Sequence, residues 1–290
     1  MVMTLMSNPR GAVGTVVIAT DGSGDTTDIQ TGINMLPATG GCVYIKEGTY
    51  TITATITITI DNVSITGCGR ATRIDAIGVT AFDISGAGCH LENFWLHGDG
   101  TVATYGIYFS FMVISRYTSI INMWIDNFDY GIRSDAAGFV QSYIRGNTIY
   151  DNLNNGIHFI GCADVIIADN IIISNENHGI FLDGSSGFII SSNDITENLG
   201  YGIYNDGCVN NVITGNRIEA PMDLLTGNGI YSSSRWYNIS SNFIVVAHGT
   251  AVYLDNLSQN HILSSNYIYG VVLNIQDLGT NNQIFNNIET

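Results

Sequence analysis

Short runs of alternating apolar and polar residues recur along the chain, and two markers within them share one period. An Asn-x-hydrophobic unit stands at Asn147, Asn170, Asn193, Asn216, Asn242 and Asn266, at steps of 23, 23, 23, 26 and 24 residues. A Gly-Ile pair recurs in antiphase at Gly106, Gly131, Gly156, Gly179, Gly202 and Gly229. Between them, runs such as Val165-Ile166-Ile167, Phe188-Ile189-Ile190 and Asn211-Val212-Ile213 predict strands of three to five residues separated by Asn, Gly, Asp and Ser turns. A leucine-rich repeat has a similar period but needs a Leu-x-x-Leu-x-Leu spacing, and leucine is scarce here. Three short strands per turn, with β-branched residues inward, instead predict an all-β fold, a right-handed parallel β-helix. Equivalent residues would then stack about 4.8 Å apart, and the repeated asparagines would form an internal ladder.

The first 60 residues break the pattern. Ile29, Ile33 and Leu36 fall at helical spacing behind an Asp/Thr N-cap, which predicts a short helix over about residues 26–36 covering the open end of the solenoid. Gly40–Ile45 and Gly48–Ile52 read as the first strands, followed by a half-exposed surface from Thr51 to Ile60. The expected organisation is one β-helix domain over 1–290, with a cap segment over 1–40 and coils over 41–290.

Composition narrows the function. The 290 residues are 45% apolar with only 12% charged, so a packed core is expected despite a net charge of −16. Nine basic residues against 25 acidic ones leave no footprint for nucleic acid or an anionic membrane. No apolar run approaches the roughly 20 residues needed for membrane insertion, and no signal peptide is visible in residues 1–14. The five cysteines lack CxxC spacing, and Cys42, Cys68, Cys89, Cys162 and Cys208 read as small inward fillers. Cys162 and Cys208 lie two coils apart, about 10 Å, too far for a disulfide.

The passage Asp21-Gly22-Ser23-Gly24-Asp25-Thr26-Thr27-Asp28-Ile29-Gln30, followed by Gly-Gly-Cys-Val-Tyr-Ile and Gly48-Thr49-Tyr50, resembles the opening segment of the pectate-lyase-like superfamily. That superfamily includes polysaccharide lyases, polygalacturonase-related hydrolases, uronate epimerases and phage tailspikes, so the resemblance implies a β-helix that handles sugars. Lys46-Glu47 departs from the proline that the family commonly places before Gly-Thr-Tyr. The polygalacturonase-like motifs are unmatched; the nearest approaches are Asn177-His178-Gly179 and Arg217-Ile218-Glu219. Lys46 is the only lysine, which argues against a lysine-based lyase.

Alignment on the Gly-Ile marker places Tyr108, Arg133, His158, Phe181, Tyr204, Tyr231 and Tyr253 in one outward stripe. Tyr108, Phe181, Tyr201, Tyr204 and Tyr231 are the candidate substrate-binding residues, because aromatic rings suit the apolar faces of pyranose rings. The competing reading is cross-strand packing of an exposed sheet. Two residues further on stand Asp135, Asp183, Asp206 and Asp255, and just before the marker stand Asn155, His178 and Tyr201. Asp183 and Asp206, one coil apart, or Asp135 and Asp183, two coils apart, have separations usable for glycoside hydrolysis. His158 and His178 are candidates for proton relay or anion binding. Arg133 is a candidate base for β-elimination, with Asp135 as a calcium ligand. The competing reading of the aspartates is as turn residues, since Asp183-Gly184 and Asp206-Gly207 are turn signatures.

Two functions remain open on this reading. One is extracellular polysaccharide binding with depolymerisation, by a glycoside hydrolase before a lyase, with no cofactor unless calcium serves a lyase. The other is a structural or adhesive solenoid of a virion or cell surface. The C-terminal stretch Asn282–Thr290 keeps the repeat pattern, so a second copy of the chain or a further segment is expected to cover the last coil.

Overall fold

A computed structural model describes residues 14–110, 115–135, 138–221, 227–270 and 273–289. The chain winds as a right-handed parallel β-helix of about 11 turns with roughly 24 residues per turn. Each full turn contributes one strand to each of three long parallel sheets. The first sheet has 12 strands, from Thr15–Ile18 to Gln283–Phe285; the second has 11, from Gly48–Ile52 to Ile288–Glu289. The third has 10, from Ile56–Ile58 to Leu273–Asp277, and it carries the Gly-Ile strands. Ser115–Arg116 and Phe139–Val140 pair separately.

Alternation along these short strands fills the interior with isoleucine. In the second sheet Leu96, Ile125, Ile149, Ile172, Ile195 and Ile218 lie in register and are fully buried. Phe109, Phe139, Phe159 and Phe188 form a second buried stack, with centroid separations of 4.2, 5.2 and 6.1 Å. The predicted asparagine ladder runs inside the bend between the first and second sheets. The Asn170 Nδ2 donates to Asn193 Oδ1 at 2.9 Å and to Ile144 O at 2.9 Å, and the Asn170 N–H donates to Asn193 Oδ1 at 3.0 Å. The pattern repeats from Asn147 to Asn266 and goes on to Asn287. A second ladder, Asn152–Asn175–Asn198, lies at the next bend; it had its own 23-residue step in the sequence.

Several expectations are corrected. Of the Gly-Ile glycines, Gly106, Gly131, Gly202 and Gly229 lie within strands and Gly156 and Gly179 directly precede theirs, and each is required by close packing. A Cβ on Gly156 would meet Ile172 Cγ2 at 2.8 Å and Gly179 O at 2.9 Å. The left-handed backbone at the asparagine bends falls instead on the residue before each ladder asparagine, such as Asp169 (φ 56°) and Ser192 (φ 57°). The helix is shorter than expected, Ile29–Asn34, capped by Asp28 Oδ1, which accepts from the Thr31 N–H at 2.7 Å. It buries Ile29 and Ile33 against the core cluster that includes Val16 and Ile18, as a cover should. The first strand is Thr15–Ile18, ahead of that helix. Cys42 is exposed and Cys68 half-buried, because Val43 and Ile45 take the inward positions of their strand; Cys89, Cys162 and Cys208 are buried.

Candidate functional site

The outer face of the third sheet gathers the stripe expected from the sequence. Tyr108, Arg133, His158, Phe181, Tyr204, Tyr231 and Tyr253 are successive register partners. Asp83 extends the row by one coil on the other side of Tyr108; it escaped notice because its coil lacks the Gly-Ile marker. Burial raises the Asp83 pKa, partly offset by a hydrogen bond with Ser110.

The rings do not turn their faces outward. Phe181 lies 5.2 Å from Tyr204 at 7°, Tyr204 lies 4.3 Å from Tyr231 at 8°, and Tyr231 lies 5.6 Å from Tyr253 at 9°. Parallel stacking at the coil repeat occupies ring faces with one another and leaves edges and hydroxyls for a ligand. Tyr201 stands crosswise, at 65° to Tyr204 and 62° to Tyr231. The Tyr231 hydroxyl donates to Asp255 Oδ2 at 2.9 Å. The Tyr108 hydroxyl donates to Asp135 Oδ2 at 3.2 Å, and its pKa is pushed up to about 12 by burial and the Asp135 charge.

The two histidines are built into this ladder rather than set on its surface. His178 stacks on Tyr204 at 4.7 Å, and its Nδ1 accepts from the Tyr201 N–H at 2.9 Å. The Asn155 amide donates to His158 Nδ1 at 3.2 Å, while the buried His158 Nε2 lacks a hydrogen-bond partner. Burial lowers both pKa values to about 4, helped at His158 by the charge of Arg133. Both rings are therefore neutral near pH 7, which removes them as anion-binding groups.

Arg133 is likewise committed. Its Nε donates to Asp135 Oδ1 at 2.8 Å, and its guanidinium lies 4.5 Å from the Tyr130 ring centroid. Burial disfavours the charge, but the hydrogen bond and charge of Asp135 outweigh it and raise the pKa. The guanidinium is thus held in its protonated form, and the Asp135 oxygens are bonded by Arg133 and Tyr108.

Asp183 and Asp206 are direct register partners. The Asp183 pKa is raised by burial and by the neighbouring Asp206. Asp206 Oδ1 accepts from the Ser233 hydroxyl at 2.5 Å. The two carboxylates thus differ in surroundings, as an acid and its partner must. Asp135 joins Arg133 and Tyr108, away from this pair.

A second cluster, unforeseen from the sequence, lies on the outer face of the second sheet. Arg73, Trp95 and Trp124 form one row, and Asp75, His97, Asp126 and Tyr150 form the next. Asp126, 5% exposed, accepts from the Trp95 indole N–H and from His97 Nδ1 at 2.7 Å. Arg73 and Arg70 place their guanidinium carbons 4.3 and 4.9 Å from the Trp95 centroid. The available signal was the pair Trp95-Leu96-His97 and Trp124-Ile125-Asp126, but the step between them is 29 residues and falls outside a 23-residue frame.

Solved structures with this architecture include mannuronan and alginate epimerases and phage tailspike proteins. The A-module of the mannuronan C-5 epimerase AlgE6 of Azotobacter vinelandii superposes with a TM-score of 0.67 at 16% identity, covering 90% of this chain and 94% of that one. The Dettilon tailspike protein gives 0.69 at 16% identity, covering 96% and 68%. The periplasmic alginate epimerase AlgG gives 0.58 at 16% identity, covering 86% and 77%. At such identity these likenesses establish the fold alone. No curated protein matches the sequence.

A family described as periplasmic copper-binding protein (NosD) matches residues 62–224. Among the described residues no group of three or more His, Cys, Asp or Glu side chains is arranged to hold a metal ion. The buried Cys162 and Cys208 thiols are directed at backbone carbonyls, and burial pushes both pKa values to about 11. The match nonetheless spans more than half of the sequence, and the chain belongs to this family.

Proposed function

We propose that the protein binds a polysaccharide along the outer face of the third sheet and hydrolyses it with the Asp183–Asp206 pair. The observation that carries this reading is the row of ring edges and hydroxyls from Phe181 to Tyr253, flanked two residues on by Asp183, Asp206 and Asp255. A linear repeat of hydroxyl and carboxylate groups suits a linear repeat of sugar hydroxyls. Neighbouring coils are about 4.8 Å apart, near the separation of roughly 5 Å used by retaining glycosidases. Asp183, with its raised pKa, is the proton donor and Asp206 the nucleophile. This carboxylate-lined face of a protein of charge −16 favours a neutral or weakly charged glycan. The polysaccharide-related titles of similar structures and the periplasmic description of the family support a location outside the cytoplasm, at an extracellular, virion or cell surface.

A second reading, adhesion without cleavage, is favoured by one observation: the histidines and Arg133 are consumed by internal contacts. A screen against polysaccharides for new reducing ends separates the two. Cleavage abolished in Asp183→Asn and Asp206→Asn supports hydrolysis at this pair, and cleavage untouched by either substitution overturns it. Binding without cleavage leaves adhesion.

A further inference from the structure

We propose that the Trp95 cluster on the second sheet is a separate ligand site, which takes an oxyanion carried on a sugar, a carboxylate or a sulfate ester. It lies on another face from the site proposed above and does not depend on it.

The argument begins with the arginines. Among the described residues Arg73, Arg133, Arg145 and Arg217 each contact a carboxylate. Arg70 has no carboxylate partner, yet its guanidinium is held against the Trp95 ring. Arg70 is thus a positioned cation whose hydrogen-bond donors are uncommitted. It projects from the short turn Gly69–Ala71 and is exposed. A planar guanidinium fixed by a ring recognises carboxylate or sulfate oxygens through paired hydrogen bonds.

The groups beside it are organised in the same direction. The Trp95 ring lies 5.6 Å from that of His97. His97 Nδ1 is paired with Asp126 Oδ2, which leaves Nε2 as the ring's remaining hydrogen-bonding atom. No described group bonds His97 Nε2, and the side chain is 29% exposed. Asp126 also takes the indole N–H, so one buried carboxylate fixes both the ring that carries Arg70 and the imidazole next to it. Burying a carboxylate is costly, and here its two bonds set the positions of two outward-facing groups. An oxyanion at Arg70 and a sugar hydroxyl hydrogen-bonded to His97 Nε2 would use both groups at once. The overall negative charge does not forbid this, because charges beyond about 8 Å are screened at physiological ionic strength.

The test measures equilibrium binding of trigalacturonate, a sulfated oligosaccharide, a neutral oligosaccharide of equal length and inorganic sulfate. The expected result is binding of at least one acidic sugar, weakening with added salt, at a site from which an equal concentration of the neutral sugar does not displace it. Arg70→Gln should lower that affinity about tenfold and His97→Gln about threefold, while Tyr204→Ala leaves it unchanged. Whichever acidic sugar binds identifies the source of the oxyanion. Arg70 is an exposed turn residue, and an unchanged unfolding midpoint for Arg70→Gln shows that the fold is retained. Wild-type affinity in Arg70→Gln, displacement of the acidic sugar by an equal concentration of the neutral one, or no acidic sugar bound at ~1 mM overturns the proposal. Loss of acidic-sugar binding in Tyr204→Ala but not in Arg70→Gln also overturns it, and would place that ligand on the third sheet.

Discussion

Two ladders climb this molecule at the same coil repeat, one inside and one outside, and they do different work. The inner asparagines are saturated: each amide bonds the next asparagine, and its N–H group reaches a carbonyl of an earlier coil. The outer rings, from Phe181 to Tyr253, are held by stacking and keep their edges in water. Hydrogen bonds in the dry interior make the inner ladder a specification of the fold, whereas the outer one adds stability while leaving groups free for a ligand. Repetition alone therefore does not separate a scaffold from a site; burial and spare hydrogen-bonding capacity do.

Acidification strikes the outer ladder and one interior ring, while the inner asparagines carry no titrating group, and it should have the largest effect. His158 and His178 in the outer ladder and His261 in the interior all have pKa values lowered from 6.5 to about 4 by burial. Unfolded, these rings take up protons near pH 6.5; folded, they resist until about pH 4. Stability is thus complete above pH 6.5 and falls as the pH drops towards 4, by on the order of 3 kcal/mol for each ring. Urea unfolding at pH 7.5 and 4.5 measures the loss, and replacing His261 by Gln should reduce it.

Next comes the inner ladder. Asn193→Ala leaves the Ile167 carbonyl and the Asn170 N–H buried without partners, and should cost about 3 kcal/mol in urea unfolding. Tyr204→Ala removes two parallel neighbours but exposes no unpaired group, and should cost about 1 to 2 kcal/mol. Equal costs for the two substitutions would erase the distinction between the ladders. The smallest effect is expected at Arg145→Ala, which breaks an exposed pair with Asp169 worth less than about 1 kcal/mol.

What the sequence disclosed follows the same division. The period exposed the β-helix, the inner ladder and the outer stripe, because stacking residues must recur at equal steps. It could not disclose that the ring faces at Tyr204 and Tyr231 are turned to each other, since register places a side chain but not its plane. Nor could it show that His178 spends its Nδ1 on the Tyr201 backbone, a contact between neighbouring coils. The Trp95 cluster was hidden because the coil from Trp95 to Trp124, at 29 residues, is longer than those that set the period. Its members become neighbours only once those coils close, as in the 31-residue step from Trp95 to Asp126.

Because every coil advances the axis by about the same 4.8 Å, the molecule is graduated like a ruler. The row position of Trp95 passes through Trp124, Thr148 and Ile171 before reaching the coil of Asp183, so its distance from Asp183 is a whole number of coils. Deleting or duplicating one 23-residue unit between them would keep both ladders aligned while moving the two faces' groups by a single graduation. A polymer touching both would sense that shift as a change of about one sugar in reach, so coil number is a means by which such chains can be adapted to the spacing of their ligands.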